Sequence, residues 1–171
     1  MKQLNNRVLL DFLAEVSKEL DTSITLVAVG GTALTLLKAK TSTIDVDFTI
    51  PDEDYALFKE TLSAIPHGFK VDCWKDGMVF SQILPEDYLK RSIPIRKMKN
   101  IQLRALNPLD IVVTKIGRLD SRDKQDIETT IRKFNLRKNQ VAKRAQQVEY
   151  VGREWNYKMN LMYVLKHFFH T

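Results

Sequence analysis

The chain has 171 residues, a formal net charge of +6, 44% hydrophobic residues and a single cysteine, Cys73. That composition supports a packed core, excludes an internal disulfide and argues against a disordered tail. No apolar run approaches the roughly 18 residues that span a bilayer, and the opening Met-Lys-Gln-Leu-Asn-Asn-Arg lacks a signal-peptide core. The expectation is therefore a soluble, cytoplasmic protein that does not act in a membrane.

In chain order, Leu4 to Leu20 is predicted to be an amphipathic helix, with Leu9, Phe12, Leu13, Val16 and Leu20 at helical spacing. Thr25 to Val29 reads as a short β-branched strand ending at Gly30-Gly31, and residues 32–40 return to a helical pattern. Residues 44–50, Ile-Asp-Val-Asp-Phe-Thr-Ile, alternate as a half-buried strand does. Asp45 and Asp47 then leave the same face with side chains about 7 Å apart. A helix over 52–65 follows, closed by Pro66 and Gly68, and then a second alternating strand over 69–74 with Asp72 on its polar face. Met78 to Ile83 and Ile101 to Leu106 read as further strands, with a loop between them broken by Pro85 and Pro94.

Asn107-Pro108 is a helix start, a capping side chain followed by proline at the first helical position. From there the pattern is helical to the end, with a second start at Ser121 and a break near Asn135. The shift near residue 107 divides the chain into a mixed αβ core over 1–106 and a C-terminal helical region over 107–171. The fold class is α+β. The last helix, ending in Phe168-Phe169, is open to two uses: packing back on the core or forming a homodimer. Residues 132–153 carry seven Lys or Arg against one acid, Glu149. That segment is either a solvated helix face or a contact surface for nucleic acid or an acidic partner.

Two like charges on one strand face are costly unless a cation lies between them. A hard divalent ion bridging carboxylates and phosphate oxygens is a natural reason to build such a pair. Gly30-Gly31 alone is a tight strand-to-helix turn, but free N–H groups at a helix start also favour phosphate, and Thr32 adds a hydroxyl there. No Gly-x-x-x-x-Gly-Lys or Gly-x-Gly-x-x-Gly pattern is present. His67, His167 and His170 form no ligand spacing, which argues against zinc. Lys115 lies beside Leu109, Val112, Val113 and Ile116, so it reads either as a snorkelling edge residue or as a site residue. Asp110 reads as a first-turn helix acid outside the site.

The run Gly30-Gly31-Thr32-Ala33-Leu34, then Asp45-Val46-Asp47, then the strand bearing Asp72 resembles the DNA polymerase β-type nucleotidyltransferase superfamily. The segment Leu106 to Lys115, followed by Arg118 and Arg122-Asp123-Lys124-Gln125-Asp126, resembles the minimal, AbiEii-like branch. The arginine common in that branch four residues before the first metal aspartate is here Thr41, with Lys38 and Lys40 nearby. The resemblance implies a nucleotidyltransferase fold, a small mixed sheet flanked by helices. It implies a two-metal Mg²⁺ site on Asp45, Asp47 and Asp72, and a nucleoside triphosphate held by Gly30, Gly31, Thr32, Lys115, Asp123 and Asp126. Lys115 would neutralise the triphosphate and Asp72 would help activate an acceptor hydroxyl, on an RNA (a tRNA end among them) or a protein. Members of this branch often belong to toxin–antitoxin or defence systems, which implies a partner protein encoded nearby. The alternative is a weak or inactive homologue serving as an antitoxin-like or regulatory binding module. A plain RNA-binding adaptor would need none of the aspartates.

Overall fold

The computed structural model describes residues 2–169 and has a mixed α+β architecture. In chain order, β1 (Leu4–Asn5) leads into α1 (Asn6–Glu19), whose start is capped by the Asn5 side chain accepting from Val8 N–H at 3.0 Å. Then come β2 (Ile24–Ala28), α2 (Gly30–Leu36), β3 (Ser42–Thr43) and β4 (Val46–Ile50). α3 (Asp52–Ser63) crosses over to β5 (Val71–Lys75). Two short strands, β6 (Met78–Val79) and β7 (Gln82–Ile83), precede α4 (Tyr88–Arg91), β8 (Ile93–Lys97) and β9 (Ile101–Ala105). The chain ends in α5 (Pro108–Lys115), α6 (Ser121–Lys133), α7 (Lys138–Ala145), β10 (Glu149–Tyr150) and α8 (Glu154–His167).

The main sheet has the order β5-β4-β2-β9-β8. β4 runs parallel to β5 and β2 parallel to β9, while β2–β4 and β8–β9 are antiparallel. An interior position explains one departure from the sequence pattern. β4 is buried along its whole length rather than on one face, and it starts at Val46, so Asp45 lies in the bend before it. Val46, Phe48 and Ile50 supply the core, with Phe48 edge-on to Phe58 at 5.8 Å between ring centres. Asp47 and Thr49 alternate with them and are buried too. Thr49 is satisfied there, its hydroxyl accepting from the Gly77 N–H at 2.8 Å.

Other boundaries moved for identifiable reasons. The helix expected over 32–40 begins at Gly30 and stops at Leu36, because Lys38 takes a left-handed conformation at φ +58°. The strand expected over 78–83 is a hairpin, β6–β7, turning at Phe80-Ser81. The Pro94 loop contains β8, an edge strand, where a residue without an N–H is tolerated beside the register shift between Pro94 and Arg96. The helical C-terminal region contains β10, which pairs with β7.

The Asn107 side chain accepts from Leu109 N–H at 3.0 Å, as the capping pattern requires, and Asp120 caps α6 by accepting from Asp123 N–H at 2.9 Å. α5 and α6 pack against α2, and α8 folds back on the body. Tyr157 Oη donates to the Val113 carbonyl at 2.8 Å, and the Asn160 amide donates to the Ile116 carbonyl at 2.8 Å. His170 lies outside the described residues. Among the described residues no helix is long and apolar enough to cross a membrane.

Candidate active site

The turn after β2 is tied to the start of β4 by hydroxyl groups. Thr32 Oγ1 accepts from the Asp47 N–H at 3.0 Å and donates to the Asp45 carbonyl at 3.2 Å. Thr43 Oγ1 donates to the same carbonyl at 2.9 Å. Thr32 is fully buried with its hydroxyl committed to these bonds, so it positions the aspartates and presents no donor to a ligand. The expectation of Thr32 as a phosphate donor is corrected on that ground. Gly30 sits at φ +53°, and a Cβ there would lie 3.7 Å from Asp47 Oδ2. A Cβ on Gly31 would come within 2.9 Å of Thr43 Oγ1. Gly30 is thus required by its backbone conformation, and Gly31 by the close approach of Thr43.

Asp47 and Asp72 occupy paired positions on the parallel strands β4 and β5, which sets their Cα atoms side by side at about 4.8 Å. Asp45, Asp47 and Asp72 line one cleft of about 430 Å³, together with Gly30 and Gly31. Asp47 is 7% exposed, and its Oδ1 has no hydrogen-bond partner among the described residues. Burial, reinforced by the charges of Asp72 and Asp45, pushes its carboxyl up to about 7. Asp72 is half-buried and held by Lys70 Nζ at 2.7 Å. Among the described residues no three His, Cys, Asp or Glu side chains are already gathered as a metal cage. The orphaned Asp47 oxygen, with two further carboxylates on the same cleft, is nevertheless a donor set that suits a hard cation.

The opposite wall is cationic. Lys115, 8% exposed, is gripped between Asp123 and Asp126, each at 3.0 Å. It is a buried, paired lysine rather than a snorkelling one. Asp126 also binds Lys40 at 3.0 Å, and Asp123 takes Arg118 through two bonds of 2.7 and 2.9 Å. Although burial acts to raise it, the Arg118 hydrogen bonds and the Lys115 charge hold the Asp123 carboxyl below its ordinary value. Asp123 is 1% exposed and lies outside the wall of the cleft, whereas Asp126, Lys115 and Lys40 line it. Asp123 thus reaches the cleft only through the cations it fixes, whereas Asp126 both lines the cleft and holds Lys115 and Lys40. Thr41 also lines the cleft, flanked by Lys40, and brings no charge.

Several lining residues escaped sequence reasoning, among them Lys70, Phe80 and Asp120, and Arg122, quoted in the motif without a role, lines the cleft too. Lys70 had a legible signal, two positions before Asp72 and so on the same side of an extended segment. Phe80 had none, since nothing local shows that its hairpin folds over the cleft. One cation of the basic segment is interior. Arg144 is buried in bonds of 2.6 Å to Asp110 and 2.9 Å to Asp87, so Asp110 is both the first-turn acid of α5 and an interior ion-pair partner. Lys133 donates to the Lys38 carbonyl at 2.6 Å, and Arg132 pairs with Glu128 at 2.7 Å. Arg132 and Lys133 stay exposed despite these partners, as do Arg137, Lys138, Lys143 and Arg153.

A family model described as "Nucleotidyltransferase of unknown function (DUF6036)" matches residues 7–169. The chain belongs to this nucleotidyltransferase family. No curated protein and no solved structure matches it. The matched span takes in both walls of the cleft, from Gly30 to Asp126.

Proposed function

We propose that the cleft transfers a nucleoside monophosphate from a nucleoside triphosphate to a hydroxyl of an RNA or protein acceptor. The observation that carries this is Asp47: a buried carboxylate, one oxygen unpartnered among the described residues, beside Asp72 and against a glycine turn. The family match and the resemblance to polymerase β-type enzymes support it.

Asp45, Asp47 and Asp72 would hold Mg²⁺. When bound, it supplies positive charge that polarises the phosphoryl oxygens and lowers the charge repulsion the acidic residues present to a triphosphate. The chain's own residues do the rest. Gly30 and Gly31 let the β/γ-phosphates approach the backbone, because no Cβ stands in the way. Lys115 and Lys40 face them with positive charge, held in place by Asp123 and Asp126. Asp72 receives the proton of the attacking hydroxyl while Lys70 stays beside it. A bond forms between the acceptor oxygen and the α-phosphorus, the α–β bridging bond breaks, and pyrophosphate leaves. Positioning and fixed charge carry the acceleration. The test is transfer of α-phosphate label from each nucleoside triphosphate, with Mg²⁺, to total RNA or lysate protein. Asp47→Asn should abolish it without unfolding the chain.

A second use of the fold, as an antitoxin-like or regulatory binding module, is favoured by two observations. Thr41 leaves one expected cationic position neutral, and α8 exposes Trp155, Met159 and Met162 along one face. In that case the same labelling experiment returns no transfer from any triphosphate.

A further inference from the structure

Phe80 stands where a bulky residue is least expected. It is the first central residue of the two-residue β6–β7 turn, at φ +53°, a conformation that such turns normally reserve for glycine. It is also 38% exposed, among the few large apolar side chains left open outside the C-terminal helix. Neither local geometry nor core packing accounts for an aromatic ring there.

The surroundings of the ring suggest its use. Trp74, two residues beyond Asp72 on β5, packs against it with ring centres 4.8 Å apart. The Arg118 guanidinium carbon lies 5.0 Å from the ring centre, and Asp123 fixes that guanidinium through two bonds. Phe80 and Arg118 both line the acidic cleft, and both also line an adjoining hollow of about 220 Å³ walled by Gln82 and Tyr150. Gly117 lets the Gln82 amide and the Tyr150 ring pack directly against its backbone at the rim of that hollow, where a Cβ would overlap both. The triphosphate side of the cleft is thus continuous with a flat, cationic, aromatic surface.

We infer that Phe80 and the Arg118 guanidinium packed on it, with Trp74 beside them, are the platform on which the base of the incoming nucleotide stacks. This rests on the nucleotide-transfer function proposed above. Aromatic rings and guanidinium planes hold bases through their π-faces, which every base offers. The platform supplies affinity common to purines and pyrimidines.

The test measures binding of ATP, GTP, CTP, UTP and inorganic tripolyphosphate to the full chain with Mg²⁺, in wild type, Phe80→Gly and Phe80→Trp. Glycine suits φ +53°, so Phe80→Gly should melt no earlier than wild type, which separates binding from folding. The expected result is a loss of about tenfold or more in nucleotide affinity for Phe80→Gly. Tripolyphosphate affinity stays unchanged, and Phe80→Trp binds nucleotides as wild type does. Undiminished nucleotide binding by Phe80→Gly overturns the platform and leaves the transfer function standing. A wild-type chain that binds neither nucleotide nor tripolyphosphate overturns both.

Discussion

Asp47 and Asp72 are register partners on adjacent parallel strands, yet among the described residues only Asp72 has a cationic hydrogen-bond partner, Lys70 at 2.7 Å. The Asp47 carboxyl, with one oxygen unpartnered among the described residues, is pushed up to about 7 by burial and then by its two acidic neighbours. The folded chain therefore holds this proton more tightly than the unfolded chain, whose aspartates titrate near 3.9. Its favourable contribution is complete below that value, declines as pH rises towards 7, and is gone above it. A shift of this size corresponds to at most about 4 kcal/mol. In chelator at pH 8, Asp47→Asn should unfold at a higher temperature than wild type, with a flatter pH profile. Parallel profiles for the two proteins would show that Asp47 carries no such cost.

Lys115 provides a contrasting case, a buried charge with two partners. Lys115→Met leaves Asp123 and Asp126 facing each other with less compensation. Removing one member of a buried ion-pair set costs about 3–5 kcal/mol, so urea denaturation should show a loss of about 3 kcal/mol. A variant within about 0.5 kcal/mol of wild type would mean that the lysine contributes only to ligand binding.

The glycine turn separates stability from geometry. Gly30→Ala must keep φ +53°, a cost of about 1–2 kcal/mol, visible as a thermal midpoint lower by a few degrees. Gly31→Ala instead pushes on Thr43 at 2.9 Å, which holds the Asp45 carbonyl. Its nucleotide transfer should fall by more than its stability loss accounts for, and equal losses would contradict that geometry.

The basic C-terminal segment divides into interior and exposed residues. Arg144→Ala should destabilise the chain by about 3 kcal/mol or more, because Asp110 is left buried without its main partner. Lys138→Ala and Lys143→Ala should leave the melting temperature unchanged. If this face contacts RNA, each lowers the salt slope of binding by about 1. A slope indifferent to both substitutions removes RNA from this face.

Periodicity and capping carried much of the fold. Asn107-Pro108 and Ser121 marked α5 and α6 because helix starts are written locally, in a capping side chain and the residues beside it. β8 and β10 were invisible for the opposite reason. Pro94 is permitted only because β8 is an edge strand, and Glu149–Tyr150 is a strand only because β7 lies beside it. The same division holds in the cleft. Alternation put Asp47 and Asp72 on strands, but their pairing, the burial of Thr32 and the arrival of Phe80 depend on contacts between distant segments. Charge counting misplaced Arg144 because composition does not distinguish a solvated guanidinium from one buried against Asp110.

The most direct measurement follows α-phosphate label from nucleoside triphosphates into acceptor RNA or protein, with pyrophosphate release recorded in parallel, for wild type and Asp47→Asn. Labelled product and pyrophosphate should appear together with wild type and Mg²⁺, and neither should appear with folded Asp47→Asn. Transfer that persists in Asp47→Asn would contradict the role assigned to that carboxylate.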